Sequence, residues 1–344
     1  MSFMVTLVHP PSPEWEAYVN SHPEATNYHQ FAWKQVIERS FGHEGFYLAA
    51  RDLAGDIRGV LPLVHMRSQL FGRFLVSLPF LNYGGLLCDS PEAGDALVAE
   101  AELFKGRLGV EHVELRHVEQ LLPGLATKNH KVTMLLDLAS DEKGQWGGLD
   151  AKVRNQVRKA QKSGLTVQVG GPELLDGFYE VFCRNMRDLG TPVYGKVFFR
   201  NIFKEFPENT RILSVFLNDQ VVASGILIWY RDRLEVPWAS SIRDFRELCP
   251  NNLLYWEAIR FAIGQGARQF DFGRSTPGEG TFRFKSQWGA KPVSLSWQYL
   301  LDKGSVLPEL NLSNPKYRLA IQLWQRLPVL LTRILGPRIV RSIP

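Results

Sequence analysis

Phe270-Asp271-Phe272-Gly273-Arg274-Ser275, followed by Gly278, Gly280 and the run Phe282-Arg283-Phe284-Lys285-Ser286-Gln287-Trp288-Gly289-Ala290, decides how this chain is read. A short apolar strand ends in Gly-Arg-Ser, the chain loops through Pro277 and two glycines, and Lys285 returns flanked by Phe284 and Trp288. Two readings of the lysine are open. Held in a dry aromatic wall, its charge would act on a developing oxyanion far more strongly than in water. Alternatively its stem lies along a strand edge with the ammonium in solvent, and the glycines only make turns. A reactive centre is expected at this loop under the first reading.

Asp271-Phe272-Gly273 also has the letters of a kinase metal-binding tripeptide. That chemistry requires a Gly-rich loop, a strand lysine and a His-Arg-Asp loop upstream, and these do not occur in order, so it is excluded. The whole run instead resembles the C-terminal signature of the FemAB-type peptidyltransferases, a branch of the GNAT acyltransferase superfamily with exopolysaccharide-associated relatives. The resemblance implies a mixed α/β (α+β) fold of two tandem GNAT-like domains, each a central mixed sheet flanked by helices. It also implies direct acyl or aminoacyl transfer to an amine in a ternary complex. By the same match Lys285 is the catalytic candidate that stabilises the donor carbonyl, with Phe284 and Arg274 lining the substrate site. Asp271 either orients the amine and relays its proton, or is a strand-end carboxylate that caps loop amides or pairs with Arg274.

Length and composition agree with such a protein. With 344 residues and 45% apolar side chains, the chain can bury two cores. Cys88, Cys183 and Cys249 are far apart and make no CxxC pair, so neither a disulfide framework nor a zinc site is indicated, and a reducing cytoplasmic compartment is expected. The apolar run Phe3 to Val8 has no basic residue ahead of it and two prolines after it, which does not read as a signal peptide. No apolar stretch approaches the roughly 20 residues that span a bilayer.

The formal charge of +5 comes from one end. After Glu309 there is no acid, while Lys316, Arg318, Arg326, Arg333, Arg338 and Arg341 add six positive charges; removing those six from +5 leaves −1 for the remainder. The globular part is nearly neutral, and no DNA partner is expected.

Two segments share one layout. His29 to Phe41 reads as a helix, followed by a strand Phe46 to Arg51, a turn at 52–56 and a strand from Ile57; Val197 to Phe206 reads as a helix, followed by a strand Ile212 to Leu217, a turn at 218–220 and a strand through Gly225-Ile226-Leu227-Ile228. Each half then offers a helix stopped by glycine, Ala93 to Leu108 before Gly109 and Asn251 to Gln265 before Gly266, and a strand after it. This punctuation supports a duplication, and it also fits chance recurrence of a common α/β order. The expected division is an N-terminal domain over 1–150, a basic connecting helix over 151–164, an acyltransferase domain over 165–305, and a tail over 306–344.

The connecting helix, Ala151 to Lys162, carries Val153, Val157 and Ala160 at helical spacing beside Arg154, Arg158 and Lys162. Its basic face suits a phosphate, a nucleotide sugar or an RNA backbone, or is a solvated connector. The resemblance adds Tyr194 and Arg200, after the loop Leu189-Gly190-Thr191-Pro192-Val193, as acceptor-site candidates. It likewise adds Lys34 beside Trp33 as a contact to a nucleotide-linked substrate, against the plain reading of Lys34 as a helix-surface lysine. No metal is expected, since no His-Glu-x-x-His or acidic cluster at ligand spacing occurs, and no Gly-x-Ser-x-Gly elbow points to a serine acyl-enzyme.

No tightly bound cofactor is expected; the donor co-substrate is acyl-CoA or aminoacyl-tRNA. GNAT enzymes cradle the pyrophosphate of coenzyme A in a Gly-rich turn opening a helix, and the corresponding Glu247-Leu248-Cys249-Pro250-Asn251-Asn252-Leu253 has no glycine. That departure leaves aminoacyl-tRNA open. In the tail, Tyr317, Ala320, Ile321 and Trp324 share a helical face, and Val329 to Leu335 reads as a second helix ending at Gly336-Pro337. The tail, 316–341, either lies in the headgroup region of an anionic membrane or packs on the domain core. The leading expectation is a cytoplasmic N-acyltransferase, peripheral at the inner membrane face, acting on an amine of a peptidoglycan or polysaccharide precursor. An acyl-CoA-dependent N-acetyltransferase of a small amine or amino sugar, and a non-catalytic envelope-assembly adaptor, are the alternatives.

Overall fold

The structure is a computed structural model that describes residues 3–68, 72–308 and 315–343. It divides into two compact units, Met1–His130 with Ser294–Leu310 and Val340–Pro344, and Lys131–Val293 with Asn311–Ile339. The chain therefore changes units about twenty residues before the expected boundary at 150, and the helix expected to connect them lies within the second unit.

The first unit opens with β1 (Met4–Val8), α1 (Pro13–Ser21), α2 (Ala32–Phe41), β2 (Glu44–Arg51), β3 (Ile57–Ser68), β4 (Gly72–Val76), β5 (Leu87–Cys88), α3 (Pro91–Leu108) and β6 (His112–His117). Local rules place the helix ends. Ser12 and Ser90 accept backbone N–H groups at the starts of α1 and α3, each followed by proline, and Gly109 closes α3 at φ +60°. Strands run β1-β2-β3-β4-β6, with β5 on β3, antiparallel except for the parallel β4–β6 pair. Leu48, Leu61, Leu63, Leu97 and Leu115 are among the residues of its core.

The second unit contains the later part of β7 (Ala126–Asp137), then α4 (Glu142–Gly148), α5 (Ala151–Lys162), β8 (Leu165–Gly170), α6 (Leu175–Leu189), α7 (Lys196–Glu205), β9 (Thr210–Leu217), β10 (Gln220–Tyr230), β11 (Arg233–Ser241), α8 (Pro250–Gly264), β12 (Gln269–Ser275) and α9 (Gly280–Ser286). Its strands run β7-β12-β11-β10-β9-β8. Val153, Val157 and Ala160 of α5 lie in the core with Leu254, Ala258 and Ile259 of α8. That burial of the apolar stripe makes α5 a structural helix of this unit rather than a connector.

The expected repeat is present. Each half builds antiparallel strands, then a helix ending at glycine, then a strand parallel to its predecessor: β4-α3-β6 and β11-α8-β12. Each sheet is then completed from the opposite half of the sequence. The strand β13 (Lys291–Leu301) pairs through Ser296–Leu301 with β6, and Val132–Asp137 of β7 pairs with β12. Two further helices, α10 (Pro315–Arg326) and α11 (Val329–Val340), follow. The helix α11 does not stop at Gly336-Pro337. Gly336 is buried where a Cβ would come within 2.8 Å of the Val193 backbone, so this glycine serves close approach rather than termination.

Gln298 on β13 fixes the chain that leaves β6. Its Oε1 accepts the N–H groups of Leu121 and Leu122 at 3.2 and 3.1 Å, and its Nε2 donates to Leu122 O at 2.6 Å. Gln298 is fully buried and so are its two bonds to Leu122, so replacing it with leucine leaves the Leu122 N–H without a partner. Gln298→Leu is expected to lower unfolding free energy by about 2–4 kcal/mol, read from urea melts, whereas an unchanged midpoint would show the loop is held otherwise.

Candidate active site

The centre of the second unit is a place where two parallel strands part. The strands β11 and β12 pair only at Arg233↔Gln269, Leu234↔Phe270 and Glu235↔Asp271. Past that rung both strands carry a bulge: β11 shifts register against β10 between Glu235 and Trp238, and β12 shifts against β7 between Asp271 and Arg274. Pro237, which has no N–H to give a neighbouring strand, lies in the first bulge. Gly273 lies in the second at φ +75°, a conformation open to glycine at little cost. Among the described residues the β11–β12 ladder does not resume, so Val236 to Ser241 have no ladder partner on β12.

The bulge carbonyls receive Lys285. Its ammonium donates to Gly273 O at 2.9 Å and Arg274 O at 3.0 Å. Asp271, fully buried, locks the same bulge: its Oδ1 accepts from Gly273 N at 2.7 Å and from Thr133 Oγ1 at 2.6 Å. Asp271 thus does what its plainer reading proposed, capping a loop amide. Lys131 Nζ donates to Thr276 Oγ1 at 2.6 Å just beyond. Burial lowers the Lys285 pKa to about 8, opposed by the charges of Asp271 and Glu235 and assisted by Arg274. Lys131 is lowered as well, by burial first and then by Arg274.

The dry wall is aromatic. Tyr255 of α8 stacks on Phe272 with centroids 5.1 Å apart and meets Phe284 at 5.4 Å, while Phe284 and Trp288 lie 6.2 Å apart. Trp288 is buried with its Nε1 unpaired, and Tyr255 is buried enough to raise its phenol pKa. Lys285 itself is 7% exposed and sits on the short helix α9, not on a strand edge. The snorkelling reading is therefore corrected: the helix turns the stem inward to the two carbonyls.

The other candidates are less concentrated. Arg154 and Arg158 are on α5, where Arg154 reaches Gly147 O at 3.4 Å and Arg158 lies 5.4 Å from the Trp146 ring centroid. Tyr194 packs against Phe198 at 5.3 Å and its carbonyl accepts from the Tyr179 hydroxyl, while Arg200 is exposed on α7. Lys34 belongs to the first unit and is buried, its ammonium donating to Glu38 Oε1 and to Gly45 O at 2.7 Å. It is not a helix-surface lysine, and its amine is occupied by its own unit. Glu235, Thr133 and Lys131 were not singled out by sequence; an acid within the apolar strand Leu234-Glu235-Val236 is the one local signal that marks Glu235.

The equivalent strand end in the first unit is satisfied by its own chain. Beyond Val76↔Glu114, Ser77 N donates to Glu114 O at 2.8 Å, Arg116 N to Ser77 Oγ at 2.7 Å, and Gly84 N to Arg116 O at 3.1 Å. The Arg116 side chain, 1% exposed, pairs with Glu114 at 2.7 Å and lies 4.3 Å from the Trp297 ring centroid. Six histidines of this unit, His22, His29, His43, His65, His112 and His117, are buried. Burial drives His29 to about 3 and His65 and His117 to about 4, so these rings are neutral parts of the packing. Among the described residues no group of three His, Cys, Asp or Glu is arranged to hold a metal ion.

Residues 149–286 match the family model described as an acetyltransferase (GNAT) domain, a span that holds the parted strands and ends one residue past Lys285. Solved structures share the fold over most of the chain. FemX is 17% identical with a TM-score of 0.65, covering 92% of this chain and 100% of that one. A tandem GNAT protein from the clavulanic acid biosynthesis pathway is 11% identical with a TM-score of 0.57, covering 87% and 97%. L-PGS from Bacillus licheniformis is 13% identical with a TM-score of 0.56, covering 95% and 98%. The chain is thus a mixed α/β protein of two GNAT-like halves. No curated protein matches it in sequence.

The buried lysine makes a prediction that needs no substrate. Its folded pKa of about 8 lies below the ordinary value of 10.5, so between these values the unfolded chain binds more protons and stability rises with pH. The gain from this one group is on the order of 3 kcal/mol. Urea melts of the wild type and Lys285→Met between pH 7.5 and about 10.5 should show that slope in the first and its loss in the second; parallel profiles would place the ammonium in solvent.

Proposed function

We propose that this protein is an N-acyltransferase whose reaction takes place where β11 and β12 part, with Lys285 as the electrophilic group. The observation that carries this is the state of the Lys285 amine. Two of its N–H groups go to the Gly273 and Arg274 carbonyls, and an ammonium has a third. In a dry site that third N–H is available to the oxygen of a carbonyl under attack, where a fixed donor is worth several kcal/mol.

The reaction balances without an enzyme-bound intermediate. The acceptor amine adds to the donor carbonyl, negative charge collects on its oxygen beside Lys285, and the C–N bond forms. The C–S bond of a thioester or the C–O bond of an aminoacyl ester then breaks, and the amine proton leaves to the departing sulfur or oxygen. Asp271 acts as a positioning residue in this scheme, since it holds Gly273 in the bulge that aims two carbonyls at the lysine. Phe284 and Trp288 keep the site dry, and Arg274 adds positive charge. Tyr194, Arg200, Arg154 and Arg158 are proposed for the acceptor, and Lys34 supports its own unit.

The resemblance of the 270–290 run to FemAB-type enzymes supports an envelope-precursor amine as acceptor, with aminoacyl-tRNA or acyl-CoA as donor. One observation favours the second reading, an acyl-CoA-dependent N-acetyltransferase. The helix α8 joins the parallel strands β11 and β12, so its N-terminus lies at the end where they part. Cys249 enters that helix at φ +58°, forming the tight turn without glycine, and the first amides of a 15-residue helix attract a diphosphate. The strand edge from Val236 to Ser241 offers backbone groups to an extended, amide-bearing donor arm.

Transfer of labelled acyl groups from acetyl-CoA, longer acyl-CoAs and charged tRNA to amine acceptors tests the proposal. Lys285→Ala is expected to reduce kcat about 100-fold or more with the donor still bound. The rate should fall as pH rises through about 8, and this falling limb should vanish in the variant. A rate that climbs through that region in the wild type only would make Lys285 a base instead. Full activity of Lys285→Ala, or its full function in cells when a chain lacking 316–344 has none, would favour the adaptor reading.

A further inference from the structure

The helix α11 buries little of its apolar content. Its buried positions, one turn apart, are Thr332, Gly336 and Val340, while Leu330, Leu331, Ile334, Leu335 and Ile339 point outward and are 36–67% exposed. The helix α10 does the same less completely: Ile321 and Trp324 turn toward the second unit and Leu319 and Leu323 away from it. The Lys316 and Tyr317 side chains lie outside the described residues.

This arrangement is held in place rather than loose. Arg187 of α6 donates to Leu327 O at 3.0 Å, Gln325 donates to Asp188 O at 3.0 Å, and Gly336 is closely apposed to Val193. The Arg333 guanidinium lies 5.2 Å from the Tyr179 ring centroid. The tail therefore does pack on its unit, and what it presents to solvent is an apolar ridge. Soluble helices bury such residues, and a contiguous exposed apolar patch marks an interaction surface.

Charge selects the occupant. Arg318, Arg326 and Arg338 are exposed on the same helices, and no acid follows Glu309 to neutralise them. A surface of leucine and isoleucine studded with arginine and free of acids is complementary to anionic headgroups over acyl chains. Among the described residues no helix is long and apolar enough to cross a membrane, so the contact would be interfacial. We infer that α10 and α11 form a docking surface for an anionic lipid bilayer, with the outward leucines and isoleucines in the headgroup boundary and the arginines on phosphates. This inference does not depend on the acyl-transfer reading.

Flotation of the intact protein with phosphatidylcholine vesicles, with and without phosphatidylglycerol, tests it. Binding is expected only where phosphatidylglycerol is present and should weaken as salt rises. Leu331→Glu combined with Leu335→Glu should abolish binding, and each of Arg318→Gln, Arg326→Gln and Arg338→Gln should weaken it about fivefold. All these positions are exposed, so the variants should melt like the wild type. Lys285→Ala should float unchanged, which separates this result from any failure of catalysis. Absence of binding, equal binding to pure phosphatidylcholine, or a dimer in sedimentation velocity that the two glutamates dissolve would overturn the proposal, the last by making the ridge an interface between copies of the chain.

Discussion

A buried ammonium must find acceptors, and in this protein it finds them in a strand that has been bent to supply them. The Gly273 and Arg274 carbonyls are turned to Lys285 because the backbone bulges, and it bulges because Gly273 takes a left-handed φ and Asp271 holds its amide. The same bulge, with its counterpart at Val236-Pro237, ends the β11–β12 ladder. One local distortion thus desolvates a lysine, fixes its direction and opens the sheet beside it. The cost of bringing that charge out of water appears as its lowered pKa.

The comparison between the two halves shows that the fold alone does not make a site. Both halves place a helix between parallel strands that stop pairing after two or three rungs. In the first, the chain after β4 returns to satisfy the edge of β6, and the Arg116–Glu114 pair fills the interior. In the second, the β11–β12 ladder ends at Glu235↔Asp271 and a lysine points to the bulge. The second half is therefore the one proposed to react, since its strand end carries the buried lysine.

Much of this was legible in the sequence where signals are local. The helix Ala151 to Lys162 is observed with those bounds, since its apolar spacing is unbroken, and the glycines after α3 and α8 mark their ends. The run around 270–290 pointed to Lys285 because glycine, lysine and aromatics are all close in sequence. Its helical setting was missed, since seven residues of α9 show too little periodicity to read. Thr133 and Glu235 come from other strands and meet Asp271 only through sheet register, which no local pattern encodes. The burial of Lys34 was likewise invisible, because its acceptor Gly45 is eleven residues away. In the tail, Ile321 and Trp324 do share a half-buried face, but Ala320 is exposed and the second helix runs on past Gly336-Pro337, because that glycine permits close approach at Val193 instead of ending the helix.

If the parted strands receive the donor, its backbone contacts must form along Val236 to Ser241 and at the 272–275 bulge. Hydrogen–deuterium exchange of the intact protein, with and without acyl-CoA or charged tRNA, resolves those segments from the rest of the chain. Slower exchange in both segments with one of these donors is the expected result. Donor turnover without protection there, or protection confined to the 77–85 loop of the first unit, would contradict it and place the chemistry elsewhere.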